Sequence, residues 1–150
     1  MQNNQPKESL SIRVGLSGTY WDKHPVCSVL FNQTTIEKNL TLDESIRYID
    51  FTVDVDEGTI NALRIRLENK EDSDTVQNDD ETAIIKDMLL NIESIEIDGI
   101  DIGQLKWDAS TFVPDNTDRP VLKNCINLGW NGTYIFEFTS PFYLWLLENI

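Results

Sequence analysis

The chain has 150 residues, enough for one domain that buries roughly 70% of its unfolded surface. With 26 Asp and Glu against 12 Lys and Arg, its formal net charge is -14. Such a field repels phosphate backbones and anionic headgroups, so nucleic acid and membrane are excluded as partners, while cations, basic protein surfaces and neutral polar ligands stay open.

Residues 1–9 carry no apolar stretch and are expected to form a polar tail, with residues 10–150 as a single domain. No signal peptide is readable, and no apolar run approaches the ~18 residues of a spanning helix, so synthesis in a cytoplasm is expected. Residues 10–16 alternate apolar and polar as a half-buried strand does, and Gly18 and Asp22 supply turn chemistry after it. Residues 25–32 form a second candidate strand. In residues 47–57 the alternation is clearest, with Tyr48, Ile49, Phe51, Val53 and Val55 largely on one face and Asp50, Asp54 and Asp56 toward water. Residues 61–69 repeat it through Leu63, Ile65 and Leu67, and Glu57-Gly58 between the two segments predicts a hairpin. Residues 89–103 carry Leu90, Ile92, Ile97, Ile100 and Ile102, interrupted at Asp98-Gly99, a dipeptide that favours two-residue turns because both positions need φ > 0. Strands are also predicted at 121–128 and 133–138, with a turn at Trp130-Asn131-Gly132. The closing residues 140–150 are apolar almost all round, which fits either a last strand or a short buried helix.

Short strands at near-regular spacing predict an all-β fold, an antiparallel β-sandwich or jelly roll of about eight to ten strands. Its expected core includes Ile49, Phe51, Val53, Leu63, Ile65, Leu67, Leu90, Ile92, Ile97, Ile135 and Phe138. Two polar, Asp-rich stretches, 70–82 and 107–119, break the pattern; loops of that length inside a compact domain are where function concentrates.

The first of these, extended to residue 87, supplies Asp72, Asp74, Asp79, Asp80 and Asp87, a pool from which a Ca2+ shell of six to eight oxygens at about 2.3 to 2.6 Å could be drawn. It is not an EF-hand: counting from Asp72 puts Val76 at a ligand position and Gln77 where the sharp-turn glycine belongs. A solvated acidic loop is the alternative reading of the same composition. Trp21, Tyr20, Trp107, Phe112 and Trp130 fall at predicted loops or strand ends, where exposed aromatic faces stack sugar rings, so Trp21, Trp107, Phe112 and Trp130 are the candidate ligand contacts. Tyr143 and Trp145 lie in the apolar closing run and are expected in the core.

Residues 67–99 resemble calcium-dependent xylan-binding modules, a jelly-roll carbohydrate-binding family. In that family a strand ends in Asn-Asp, an acidic loop follows, and then a segment of the form Asp-Arg-Asn-Leu-x-Val-x-x-Val-x-Val-Asn-Gly. Here the strand ends in Asn69-Lys70, and Asp87-Met88-Leu89-Leu90-Asn91-Ile92 leads on to Ile97-Asp98-Gly99 at the family's spacing. The resemblance covers roughly a fifth of the chain and implies a jelly roll with Asp87 as a calcium ligand. Lys70 stands where the family has Asp, and Met88-Leu89 where it has Arg-Asn. A looser likeness over the whole chain is to small jelly-roll proteins of tailed bacteriophages, which are accessory components of capsid or tail.

His24, the only histidine, precedes Pro25 in a turn, and nothing nearby in sequence makes a Ser or Cys partner obvious. Cys27 and Cys125 sit among apolar residues and read as buried thiols. No phosphate loop, dinucleotide fingerprint or zinc ligand pair occurs. The sequence thus predicts a non-catalytic binding domain. Its expected setting is a bacteriophage virion, as a capsid-decorating or tail part contacting other virion proteins, glycan or further copies of itself; the alternative is a free calcium-dependent carbohydrate-binding module.

Overall fold

The computed structural model describes residues 6–150. In chain order the strands are β1 (Lys7–Thr19), β2 (Val26–Phe31), β3 (Thr34–Thr41), β4 (Arg47–Asp56), β5 (Ile60–Leu67), β6 (Val76–Gln77), β7 (Ile84–Lys86), β8 (Leu89–Ile97), β9 (Ile100–Asp101), β10 (Ser110–Pro114), β11 (Leu122–Lys123), β12 (Asn127–Leu128) and β13 (Gly132–Thr139). Two short helices, α1 (Leu105–Asp108) and α2 (Phe142–Asn149), complete the described residues, with one 3-10 turn at Asp72–Asp74. Eight strands have five residues or more; the others are two or three residues long.

One sheet runs β12-β8-β1-β4 with β9 paired to β8, and the other runs β11-β10-β13-β5-β2-β3. Every pairing is antiparallel. The predicted β-sandwich is therefore the fold. β6 and β7 pair only with each other, as a two-stranded arm.

Alternation explains which sheet faces meet. In β1, Leu10, Ile12, Val14 and Leu16 are buried while Ser9, Ser11 and Arg13 are exposed. Leu63, Ile65 and Leu67 of β5 and Tyr134, Phe136 and Phe138 of β13 join them in one continuous core. Since side chains alternate along β13, Ile135 lies on the other face from Phe138 and is only half-buried, which corrects its expected place in the core. Phe51 and Val53 pack against the core while half-exposed. At Gly15 a Cβ would meet Ser94 Oγ at 2.5 Å, so side chains crowd β1 closely beside the bulge in its pairing with β8.

Asp98 and Gly99 take φ of 52 and 77 degrees, and Ile97 pairs with Ile100, so this hairpin forms as predicted. Glu57-Gly58 does not make one. β4 pairs with β1 and β5 with β13 and β2, so the turn carries the chain from one sheet to the other. The predicted strand at 121–128 is two short ladders on different sheets, β11 and β12. The supposed loop 107–119 holds the end of α1 and all of β10. Of the expected tail, Lys7 to Ser9 already belong to β1, and residues 1–5 lie outside the described residues.

The closing segment is a helix. Glu8 of β1 accepts hydrogen bonds from Ser140 Oγ (2.8 Å) and from the Phe142 N–H (3.0 Å), placing a carboxylate on the unsatisfied amides at the start of α2. Phe142 is buried, and Trp145 stacks edge-on to Phe136 at 5.4 Å, whereas Tyr143, Leu144 and Leu147 remain exposed.

Candidate functional site

The ends of β5, β10 and β12 converge beside the start of β13, where Gly132 pairs with Leu67 and Pro114 and side chains tie in the segments beyond the ladders. Asn69 accepts from the Val26 N–H (2.8 Å) and donates to His24 O (2.9 Å), joining the end of β5 to the entry of β2. The Asn131 amide acts as a substitute peptide group: its oxygen accepts from the Lys70 N–H at 2.7 Å and its Nδ2 donates to Lys70 O at 3.0 Å. The Asp115 N–H donates to Asn131 O at 2.9 Å, and the Arg66 guanidinium donates to both Asp115 oxygens at 3.0 and 3.2 Å. Gly132 completes the junction, because a Cβ there would lie 2.5 Å from Val113 O.

These segments bound a surface cleft of about 500 Å3, lined among others by Asp72, Gln77, Asp115, Asn116, Arg119 and Trp130. Carboxylates, amides and a guanidinium surround one large indole. Trp130 is half-buried, backed by Phe112 at 6.5 Å, and the Arg119 guanidinium lies 4.3 Å over its ring. A neighbouring, more apolar hollow of about 340 Å3 shares Thr75, Gly129 and Trp130 with the cleft and is also lined by Leu89 and Leu122.

Of the four aromatic candidates, only Trp130 lines this polar cleft. Phe112 is buried, so it supports Trp130 from the core instead of offering a face to solvent. Trp107 is exposed on α1, away from the cleft lining. Trp21 is exposed beside the β6–β7 arm, donating its indole N–H to Asp74 O at 2.9 Å while the Lys86 ammonium sits 5.0 Å over its ring. Tyr20 stacks on His24 at 3.9 Å, and His24 Nδ1 is 2.9 Å from Leu42 O, so that histidine is engaged in structure.

The five aspartates of the calcium pool are not gathered into one shell. Asp72, Asp79 and Asp80 are exposed. Asp74 is buried and bound by Lys23 Nζ at 2.9 Å and the Glu71 N–H at 2.7 Å. Burial pushes the Asp74 carboxyl up, but the hydrogen bonds from Lys23 and Glu71 and the charges of Lys23 and Lys70 outweigh it and hold the group below its ordinary value. The partner Lys23 is raised, chiefly by its hydrogen bond to Asp74.

Asp87 faces Lys70. The ammonium donates to Asp87 Oδ1 at 2.6 Å and to Met88 O at 2.7 Å, with the Lys70 side chain 7% exposed. The same Asp87 oxygen accepts from Thr75 Oγ1 (2.7 Å) and the Met88 N–H (2.8 Å). Among the described residues no group of three or more His, Cys, Asp or Glu is placed to hold a metal ion. As arranged, the donor set does not fit calcium: buried Asp74 and half-buried Asp87 are each already paired with a lysine, Lys23 and Lys70.

Sequence reasoning missed Asn131, Asn116 and Arg119 as cleft residues. The last two lie in the stretch 107–119 that composition singled out; Asn131 carried only a turn signal. Cys27 is buried and its thiol is pushed up to about 12 by desolvation, leaving it unreactive.

No family model and no curated protein matches this chain. Two solved structures do, both of vCBM60. One, described as vCBM60 in complex with galactobiose, superposes with a TM-score of 0.53 at 16% identity, covering 84% of this chain and 96% of that chain. The other is its selenomethionine form, from work linking two families of calcium-dependent carbohydrate binding modules by circular permutation. It gives a TM-score of 0.52 at 18% identity over 85% and 89% of the two chains. The chain thus shares the fold of carbohydrate-binding modules.

Proposed function

We propose that this domain binds a neutral saccharide in the cleft beside Trp130, without catalysing a reaction on it. The observation that carries the reading is one half-buried indole inside a ring of Asp, Asn, Gln and Arg side chains held rigidly at the sandwich end. A pyranose needs an apolar face for its C–H side and donors and acceptors for its hydroxyls, and this lining offers both. The net charge of -14 disfavours acidic glycans. Arg119 covers the ring in the free protein, and a sugar stacking there displaces a cation–π contact worth ~0.5 to 1 kcal/mol at an exposed site.

The vCBM60 complex makes galactobiose the first disaccharide to try, beside xylo-oligosaccharides. A glycan array followed by calorimetry on the best hit tests the reading. Binding should fall at least tenfold in Trp130→Ala while the far-ultraviolet circular dichroism is retained. Binding that survives this change moves the site elsewhere.

A second reading concerns setting. The exposed Tyr143, Leu144 and Leu147 on α2 favour a domain carried on a larger assembly, and a bacteriophage capsid or tail is the one we propose. Size-exclusion chromatography with light scattering checks it in part: self-association lost on Leu144→Glu and Leu147→Glu supports an assembling part, and a monomer at all concentrations favours a free module.

A further inference from the structure

We infer that the Lys70 ammonium occupies, as a covalently tethered cation, the position that a divalent ion would hold between Asp87 and Met88 O, so that this domain is folded and rigid at that corner without calcium. The neighbours by fold include modules described as calcium-dependent, whereas here the two oxygens are held by a lysine. The ammonium is 2.6 Å from Asp87 Oδ1 and 2.7 Å from Met88 O. Calcium bound to those two oxygens would lie at about 2.3 to 2.6 Å from each and so overlap the ammonium nitrogen. Two cations cannot share the place.

The surroundings are built for one positive charge. Asp87 is the carboxylate in direct contact, Thr75 and the Met88 N–H complete the hydrogen bonding of the same oxygen, and the pair is largely shielded from water. The Lys70 backbone is pinned from the other side by Asn131, so the side chain starts from a fixed point. A lysine therefore links the end of β5 to the start of β8, and through Asn131 to the cleft, in place of an exchangeable ion. An ion can be stripped by a chelator; this one cannot.

The test reads metal and melting only, so its failure would leave the saccharide proposal standing. Wild-type protein should melt at the same temperature in about 10 mM calcium chloride and in chelator, because the ammonium fills this place and no other group of three or more His, Cys, Asp or Glu among the described residues is set to hold the ion. Lys70→Asp should melt lower in chelator and recover with calcium, by on the order of 5 °C when the ion reaches 100 times its dissociation constant. A wild-type melting temperature that rises with calcium would overturn the inference, as would a folded Lys70→Asp that melts alike in both buffers. Should Lys70→Asp fail to fold in either buffer, Lys70→Met decides. A fall on the order of 10 °C supports the ammonium's role, since removing one member of a shielded pair strands the other, and wild-type melting sinks it.

Discussion

At one end of β13, Phe138 meets Phe142 at 5.5 Å and Trp145 at 6.4 Å, ring against ring, under α2. At its other end, Gly132 begins the strand beside a junction in which Asn131, Asp115, Arg66 and Lys70 are joined almost wholly by hydrogen bonds and ion pairs. Apolar contact is non-directional and stabilises in proportion to area, so the first end holds the sandwich together. Hydrogen bonds contribute little net energy but fix direction, so the second end sets the shape of a cleft. The same strand thus carries stability at one end and the proposed saccharide cleft at the other.

Two substitutions test that division, and the larger effect on stability should come from the aromatic end. Phe142→Ala removes a buried ring and should cost about 3 to 5 kcal/mol, lowering the melting temperature by on the order of 10 °C. Saccharide affinity, measured well below that temperature, should not change. Asn131→Ala should cost less stability, roughly 1 to 3 kcal/mol by urea unfolding, because it leaves the Lys70 N–H and carbonyl without their partner. It should nevertheless weaken saccharide binding at least tenfold, since the Lys70 segment loses its anchor beside Trp130 while the Asp115 N–H keeps its bond to the backbone carbonyl of residue 131. If Phe142→Ala weakened binding as much as Asn131→Ala, the two ends would not be separable.

The smallest effect is acid dependence. Asp74 is held below its ordinary value when folded, so its contribution is complete above the unfolded range near ~4 and is lost as pH falls through the lower folded value. Lys23→Met removes a main cause of that lowering. The difference in melting temperature between wild type and Lys23→Met should therefore be a few degrees at neutral pH, and should shrink below pH ~4. A difference that stayed constant across that range would assign Lys23 a packing role only.

Much of the sandwich was legible because its central strands alternate: Leu10 to Leu16, Leu63 to Leu67 and the Asp98-Gly99 hairpin needed only local chemistry. β3 escaped notice because it is an edge strand with only Leu40 buried, and a polar edge leaves no alternation to read. β10 hid inside an Asp-rich stretch, where Phe112 is buried between a half-exposed Thr111 and an exposed Val113. Glu57-Gly58 specified a reversal of direction but not the sheet that receives the next strand, which depends on packing across the core. The scatter of the five pool aspartates was hidden for a similar reason. Composition counts carboxylates and cannot show that Lys23 and Lys70, 51 and 17 residues away along the chain, fold in among Asp74 and Asp87. Trp130 was within reach because an aromatic beside Asn-Gly marks a strand end, whereas Asn131 needed the fold to reveal its clamp.

The four tryptophans give four indole N–H signals that report on four separate places: Trp21 by the β6–β7 arm, Trp107 on α1, Trp130 in the cleft and Trp145 on α2. Titrating labelled protein with the best saccharide while recording proton–nitrogen spectra tests the cleft assignment directly. The Trp130 indole should shift progressively and saturably, together with backbone signals of residues 70–72, 115–119 and 129–131, while the other three indoles stay in place. A saturable shift of Trp21 or Trp107 with an unmoved Trp130 would contradict the account.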